Sequence, residues 1–133
     1  MRAGGPQRGS ASVEFAVVLP LVAVALLLVA QVALIVADQL TVAHAAREGA
    51  REAAVWNDDG RAREAVLRSG RLDPDRTTIE VEPRDRAVGT AVSVSVRYRP
   101  PERVPFVGAF VSNDFELSSR ATMRTERERA SGG

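Results

Sequence analysis

Few side chains in this 133-residue chain could do chemistry, and the most conspicuous is Glu14. It stands at the mouth of an apolar run, residues 15–37, behind a short leader that carries Arg2 and Arg8. An ionisable group at that border is costly to bury in a bilayer and points to function. The remaining candidates carry less. Asp58 with Asp59, and Asp73 with Asp75, are carboxylate pairs set in polar turn segments. They suit helix caps and solvated loops, whereas an acid–base dyad needs surroundings that split its pKa values. His44 is the single histidine and cysteine does not occur. The chain therefore offers no His- or Cys-based nucleophile–base set, no disulfide and no cysteine-ligated zinc site, and His44 has no second histidine to help hold a metal. No Gly-rich phosphate loop is present, since Gly4-Gly5 and Gly132-Gly133 lie at the two ends. The expectation is a non-enzyme with no cofactor, no metal and no small-molecule substrate.

The elements that would position Glu14 begin with the apolar run. Residues 15–37 number 23, and Gln31 is the one clearly polar side chain among them. At 1.5 Å per residue a helix of this length reaches about 35 Å, enough to cross a hydrocarbon core of about 30 Å with some tilt. A secretory signal has an apolar stretch of only about 7–15 residues, so this segment reads as a retained anchor. Ala43-His44-Ala45 also fits a small-residue cleavage site, but it lies beyond the apolar run and inside a helical pattern. Arg2 and Arg8 precede the span and Asp38 follows it, so the positive-inside rule places the leader in the cytoplasm and residues 38–133 outside. Beyond residue 37 there are 16 arginines and 16 carboxylates. That balance argues against a nucleic-acid partner, which needs a basic patch.

The periodicity predicts one long helix from about residue 12 to 55. Its second half is amphipathic: Ala43, Ala46, Ala50 and Ala53 recur at spacings of three and four on one face, with Arg47, Glu48, Arg51 and Glu52 over most of the rest. Such a small-residue stripe lets another backbone approach, either the protein's own sheet or a neighbouring subunit. Gly49 inside the pattern costs about 1 kcal/mol relative to Ala and marks close packing. Trp56 reads as a packing residue. Asn57-Asp58-Asp59-Gly60 is a break in which Asp58 or Asp59 caps a second helix over residues 61–69, with Ala62, Ala65 and Val66 inward and Gly70 just past its end. Asp73-Pro74-Asp75 is a turn. Three strands follow. Residues 77–82 place Ile79 and Val81 on one face. Residues 90–99 place Val92, Val94, Val96 and Tyr98 on one face, after a hairpin loop over residues 84–89. Pro100-Pro101 stops the second strand. The third covers residues 115–126 with Phe115, Leu117, Ala121 and Met123 buried. Residues 104–111, with Phe106 and Phe110, form a short apolar loop or turn.

The expected fold class is α+β: a long N-terminal transmembrane helix continuing into an exported helix, a short second helix and a small three-stranded antiparallel sheet. The division is a leader (residues 1–9), a transmembrane helix (10–37), an exported amphipathic helix end (38–56), a small α+β domain (57–126) and a disordered tail (127–133).

Three features together resemble the TadE-like family, the pseudopilin-type subunits of the tight adherence (Tad, Flp-type) pilus machinery. They are the opening Gly9-Ser10-Ala11-Ser12-Val13-Glu14-Phe15, the long apolar helix behind it, and Ala45-Ala46-Arg47-Glu48-Gly49-Ala50-Arg51 near the helix end. The motif match covers about residues 9–56. The resemblance implies a pilin-like fold and a cut after Gly9 by a prepilin peptidase, which leaves Ser10 as the new N-terminus. A residue without a side chain at Gly9 gives such a peptidase access to the peptide bond. Glu14 then becomes the assembly carboxylate and Phe15 the first residue of the hydrophobic assembly segment. The freed Ser10 amine is cationic near neutral pH, and a neighbour's Glu14 would compensate it in low dielectric. The plain alternative is a Glu14 that snorkels at the interface. Pro20 releases the carbonyl of Ala16, which permits local melting in a filament or is a tolerated kink in a lone anchor. Gln31 hydrogen-bonds another span or faces its own bundle. Pro20, Ala43, Ala46, Gly49, Ala50 and Arg51 are the helix-packing positions.

The function this implies is structural: a minor pilin-like subunit of a Tad/Flp-type pilus or related secretion apparatus, in the cell membrane or an extracellular pilus. Its partners would be the membrane, the prepilin peptidase, other pilin or pseudopilin subunits and pilus-assembly membrane proteins, in an adhesion or secretion role. The competing reading is a single-pass anchored binding module that does not polymerise.

Overall fold

The structure, a computed structural model, describes residues 7–101 and 115–126. The expected apolar loop at residues 104–111, the tail at 127–133 and most of the leader lie outside the described residues. The elements in chain order are helix α1 (Gln7–Trp56), helix α2 (Asp59–Gly70), a 3₁₀ turn (Pro74–Arg76) and strands β1 (Thr77–Glu82), β2 (Ala91–Tyr98) and β3 (Leu117–Arg124). The architecture is α+β, with a three-stranded antiparallel sheet in the order β1-β2-β3. The chain divides into two units, Met1–Ile35 and Val36–Gly133.

The first unit is the membrane-length part of α1. The helix starts at Gln7, about five residues ahead of the expected position. Gln and Arg are good helix formers, and Gly9 with Ser10 costs little beyond about 1 kcal/mol, so the helix runs through them. From Val13 to Leu34 the large apolar side chains of this unit are exposed, with Phe15 at 67 %. It contains the one helix among the described residues that is long and apolar enough to cross a membrane.

The second unit holds the core. Residues 36–56 of α1 bury Val42, Ala45, Ala46, Ala50, Ala53 and Ala54. The small-residue stripe therefore packs within the protein's own domain. The buried face is wider than the stripe at 43, 46, 50 and 53: Ala43 is half-buried, while Val42, Ala45 and Ala54 join the core. Two bonds tie this part of α1 to the ends of β3, from Gln39 Nε2 to the Ser118 carbonyl (3.0 Å) and from the Glu126 amide to the Ala54 carbonyl (2.9 Å). Gly49 is where α1, α2 and β2 converge. A Cβ there would lie 2.4 Å from Val66 Cγ2, 3.2 Å from the Ala62 carbonyl oxygen and 3.2 Å from Val94 Cγ1. Only a residue without a side chain allows that approach.

Helix α2 begins at Asp59, two residues before the expected start. Asp58 is its N-cap, with Oδ1 accepting from the amides of Gly60 (2.7 Å) and Arg61 (3.2 Å). Ala62, Ala65 and Val66 face inward as expected. At the other end the left-handed residue is Arg71 (φ 48°), not Gly70. Gly70 is instead a close-approach position, where a Cβ would lie 2.7 Å from Leu72 Cγ and 3.2 Å from Ala45 Cβ. Asp73 caps the 3₁₀ turn through the Asp75 amide (3.0 Å).

The sheet alternates as the sequence predicts. Val92, Val94, Val96 and Tyr98 of β2 are buried, and Val81 of β1 with Leu117 of β3 joins them. The register sets Leu117 opposite Tyr98, Ala121 opposite Val94 and Met123 opposite Val92. The face expected for β3 is thus right, but burial fades along it. Phe115 is 39 % and Met123 36 % exposed. The core beneath β3 is narrower than a fully covered strand would need.

Candidate functional site

Two places in the chain carry chemistry, one in each unit. In the first, Gly9, Ser10, Glu14 and Phe15 lie on consecutive turns near the start of α1. Ser10 and Glu14 are four residues apart, so they stack on one helical face, and the Ser10 hydroxyl donates to Glu14 Oε1 at 3.5 Å. A Cβ at Gly9 would have no neighbour within 4 Å. Gly9 and Ser10 are exposed, as are Glu14 and Phe15 one turn further on. Pro20 lies inside α1 on the same apolar unit. Its missing amide leaves the Ala16 carbonyl without the usual helical donor.

In the second unit, Ala46, Gly49 and Ala50 are buried and Ala43 is half-buried. Arg51 is on the solvent side of α1, 3.8 Å from Glu48. Sequence reasoning expected Trp56 to pack. It is 43 % exposed, with the Arg61 guanidinium over its ring at 4.7 Å to the centroid. The helix ends at Trp56, and the next residue, Asn57, turns the chain with a positive φ of 52°.

Sequence reasoning missed the polar cluster that closes this unit. The Arg86 side chain, in the β1–β2 loop, is fully buried. Its Nε donates to Asn57 Oδ1 (2.8 Å), its Nη2 to Asp59 Oδ1 (2.7 Å) and its Nη1 to the Pro83 carbonyl (2.9 Å). Asn57 Nδ2 donates back to the Arg86 carbonyl at 3.3 Å. A buried guanidinium is tolerable only when its donors are met, and here three backbone or side-chain oxygens meet them. The cluster joins the α1–α2 corner to the hairpin loop. Asp59 is thus an ion-pair partner while Asp58 is the cap. The only sequence signal was an Asn at a helix stop beside two aspartates, with an unmatched arginine in a later loop. Those residues lie 27 and 29 positions apart, out of reach of any local pattern.

The outer sheet face is a solvated ladder. Arg97 lies 3.5 Å from Glu80, Arg99 3.3 Å from Glu116, and Ser93 Oγ 2.8 Å from Thr122 Oγ1. Exposed pairs of this kind contribute about 0–1 kcal/mol each and form no enclosed reaction centre. Among the described residues, no group of His, Asp and Glu side chains could hold a metal ion. His44 is exposed.

Comparison with known families points to the first of the two places. Residues 9–51 match the family model of TadE-like proteins. The TadE-like match starts at Gly9 and ends at Arg51. It therefore takes in Glu14, the whole apolar part of α1 and the buried stripe through Ala50. It stops before Asn57, α2 and the sheet. No curated protein and no solved structure matches the chain.

Proposed function

We propose that this chain is a minor pilin-like structural subunit of a Tad/Flp-type pilus or a related secretion apparatus. The observation that carries the reading is the TadE-like match over residues 9–51, laid on a helix whose apolar half is exposed along its length. In this reading the apolar helix anchors the chain in the membrane once, with the leader cytoplasmic and the second unit outside. A prepilin peptidase cuts after Gly9, where an added Cβ would meet nothing within 4 Å. The new Ser10 amine sits one helical turn from Glu14, and the two present opposite charges at one end of the span. A neighbouring subunit's amine and carboxylate answer them where water is scarce and charge pairing is strong. The subunit's role is assembly, and it transforms no substrate. Its partners are the peptidase, other pilin or pseudopilin subunits and the assembly proteins of the membrane.

The test is the mature N-terminus of the chain expressed with its cognate peptidase. The expected first residue is Ser10. A chain still beginning at Met1 in cells that assemble these pili, or one cut after Ala45, refutes the reading.

A further inference from the structure

We propose that the second unit lies directly on the bilayer surface, with the row of residues that closes β2 and opens β3 set among the lipid headgroups. The inference rests on the membrane reading of α1. Two bonds orient the sheet. The Gln39 side chain reaches the Ser118 carbonyl at the start of β3, and the Ala54 carbonyl accepts from the Glu126 amide just past its end. β3 therefore runs alongside α1 in the same direction, its first residues toward the span and its last away from it. The β1–β2 hairpin loop is at the far end, since the Gly89 amide bonds the Thr125 carbonyl at 2.8 Å. Register carries the near end across the sheet. Leu117 stands opposite Tyr98 and Tyr98 opposite Thr77, and beyond them the Arg99 amide bonds the Arg76 carbonyl at 3.0 Å.

Depth follows from counting along α1. The apolar run ends at Ala37, which the second unit itself contains. Gln39 is two residues further on, about 3 Å along the axis. A headgroup layer is about 5–7 Å thick on each side of the hydrocarbon core. The run is about 5 Å longer than that core is thick. With all of this slack on the outer side, Gln39 still stands only about 8 Å from hydrocarbon. Val42, five residues beyond the run, is already fully buried. No length of bare helix holds the sheet clear of the membrane. Phe115 precedes Ser118 by three residues, at most about 10 Å of chain, so it is within reach of the headgroups.

The side chains at this end suit such a layer. Phe115 and, on α1, Leu40 are exposed apolar groups that gain by leaving water. Arg99 pairs with Glu116 at 3.3 Å and Arg76 with Asp73 at 3.8 Å, and all four side chains are partly exposed. Each pair offers a cation to a phosphodiester and a carboxylate to an ammonium group. The charges balance, so the partner they fit is a zwitterionic lipid surface.

Tryptophan fluorescence of the full chain in phosphatidylcholine vesicles tests the contact. Trp56 is the single tryptophan and lies nineteen residues past Ala37, about 28 Å along α1. In a Trp56→Phe background, one tryptophan replaces Phe115, Val88 in the far hairpin loop, or Leu27 within the span, all three exposed positions. A nitroxide carried on the lipid headgroups should remove most of the Phe115→Trp emission and leave Val88→Trp and native Trp56 nearly unchanged. Iodide on both sides of the membrane should quench Val88→Trp and spare Phe115→Trp. Arg99→Trp, in the same row, repeats the measurement independently of Phe115. If both row positions respond to the two quenchers as Val88→Trp does, the proposal is overturned. Leu27→Trp separates the two levels. Free quenching of it by iodide overturns the membrane reading itself, whereas a shielded Leu27→Trp beside row positions open to iodide overturns the surface contact alone.

Discussion

Replacing Arg86 with methionine should unfold the second unit more readily than any other single change outside its apolar core. Methionine keeps most of the stem's volume and removes the three donated bonds. Asn57 Oδ1 is then left in a side chain only 1 % exposed, with its main donor gone, at a cost of about 1–3 kcal/mol. Asp59 loses a charge-assisted bond, but its side chain keeps 20 % of its surface and can rehydrate, so its share is about 1 kcal/mol. The Pro83 carbonyl loses one ordinary bond, about 0.5–1 kcal/mol. Relief from burying a guanidinium offsets part of this. The net loss is about 3 kcal/mol, at the low end of what breaking a buried ion pair costs, because Asp59 is not sealed. For a unit of about a hundred residues this lowers the melting temperature by roughly 12–24 °C. The assay is urea or thermal unfolding of the full chain in detergent micelles, followed by the fluorescence of Trp56, the single tryptophan. Trp56 directly precedes Asn57 and lies under Arg61, so it senses the corner that Arg86 holds. Asp59→Asn should cost about 1 kcal/mol, and adding it to Arg86→Met should cost little more, since the two act through one bond. A loss below about 1 kcal/mol for Arg86→Met, no greater than for the exposed Arg47→Met, would refute the argument.

Three further outcomes follow from the same geometry. Gly49→Ala gains about 1 kcal/mol of helix propensity, but its methyl would meet Val66 Cγ2 at 2.4 Å and the Ala62 carbonyl at 3.2 Å. A net loss of about 1–2 kcal/mol in the same unfolding assay is expected, because Val66 is buried and stiff at χ1; a stabilised variant would show that the helices can separate freely. Asp58→Ala removes the cap that meets two amides and should cost about 1 kcal/mol, whereas Asp58→Asn should stay within a few tenths of wild type; equal losses would locate the effect elsewhere. Glu14→Ala should leave membrane insertion and the second unit's stability unchanged while impairing pilus assembly, read as surface fibres per cell. Normal fibres from that variant would remove the charge-pairing role.

Where the sequence was legible, local physics decided the outcome. A period of two in β2 and a period near 3.6 in α1 each present an apolar face to a single core. The inward residues of β2 and of α2 followed from that alone. The α2 cap was readable to within Asp58 or Asp59, and Asp73-Pro74-Asp75 as a turn, because an aspartate two or three residues ahead of free amides has only local geometry to satisfy. The misplacements share one cause. Trp56, Phe115 and Met123 are apolar, and apolarity favours burial, but burial also requires something overhead. The turn at Asn57 lifts Trp56 away, and the core thins beneath the outer part of β3. Arg86 fails in the opposite sense. Charge argues for solvent, yet three oxygens from distant segments converge on it, and nothing in a local window records that convergence.

This contrast bears on what the two units are for. Among its described residues the second unit is built largely from Val and Ala against a bare Gly49; the buried Arg86 guanidinium donates to three oxygens, and Thr125 Oγ1 is buried without a partner. Its small core needs the end of α1: Val42, Ala45, Ala46, Ala50, Ala53 and Ala54 supply the apolar layer over the sheet. The first unit is the reverse. Its large apolar side chains are exposed, and an exposed carboxylate, Glu14, stands near its start. An apolar helix exposed along its length is costly in water, whereas the second unit covers its Val and Ala side chains within its own core. The TadE-like match, residues 9–51, begins in the first unit, runs through the buried stripe of the second and ends before α2 and the sheet. The matched stretch thus joins the exposed apolar helix to Val42, Ala45, Ala46 and Ala50, four of the positions through which α1 enters the core.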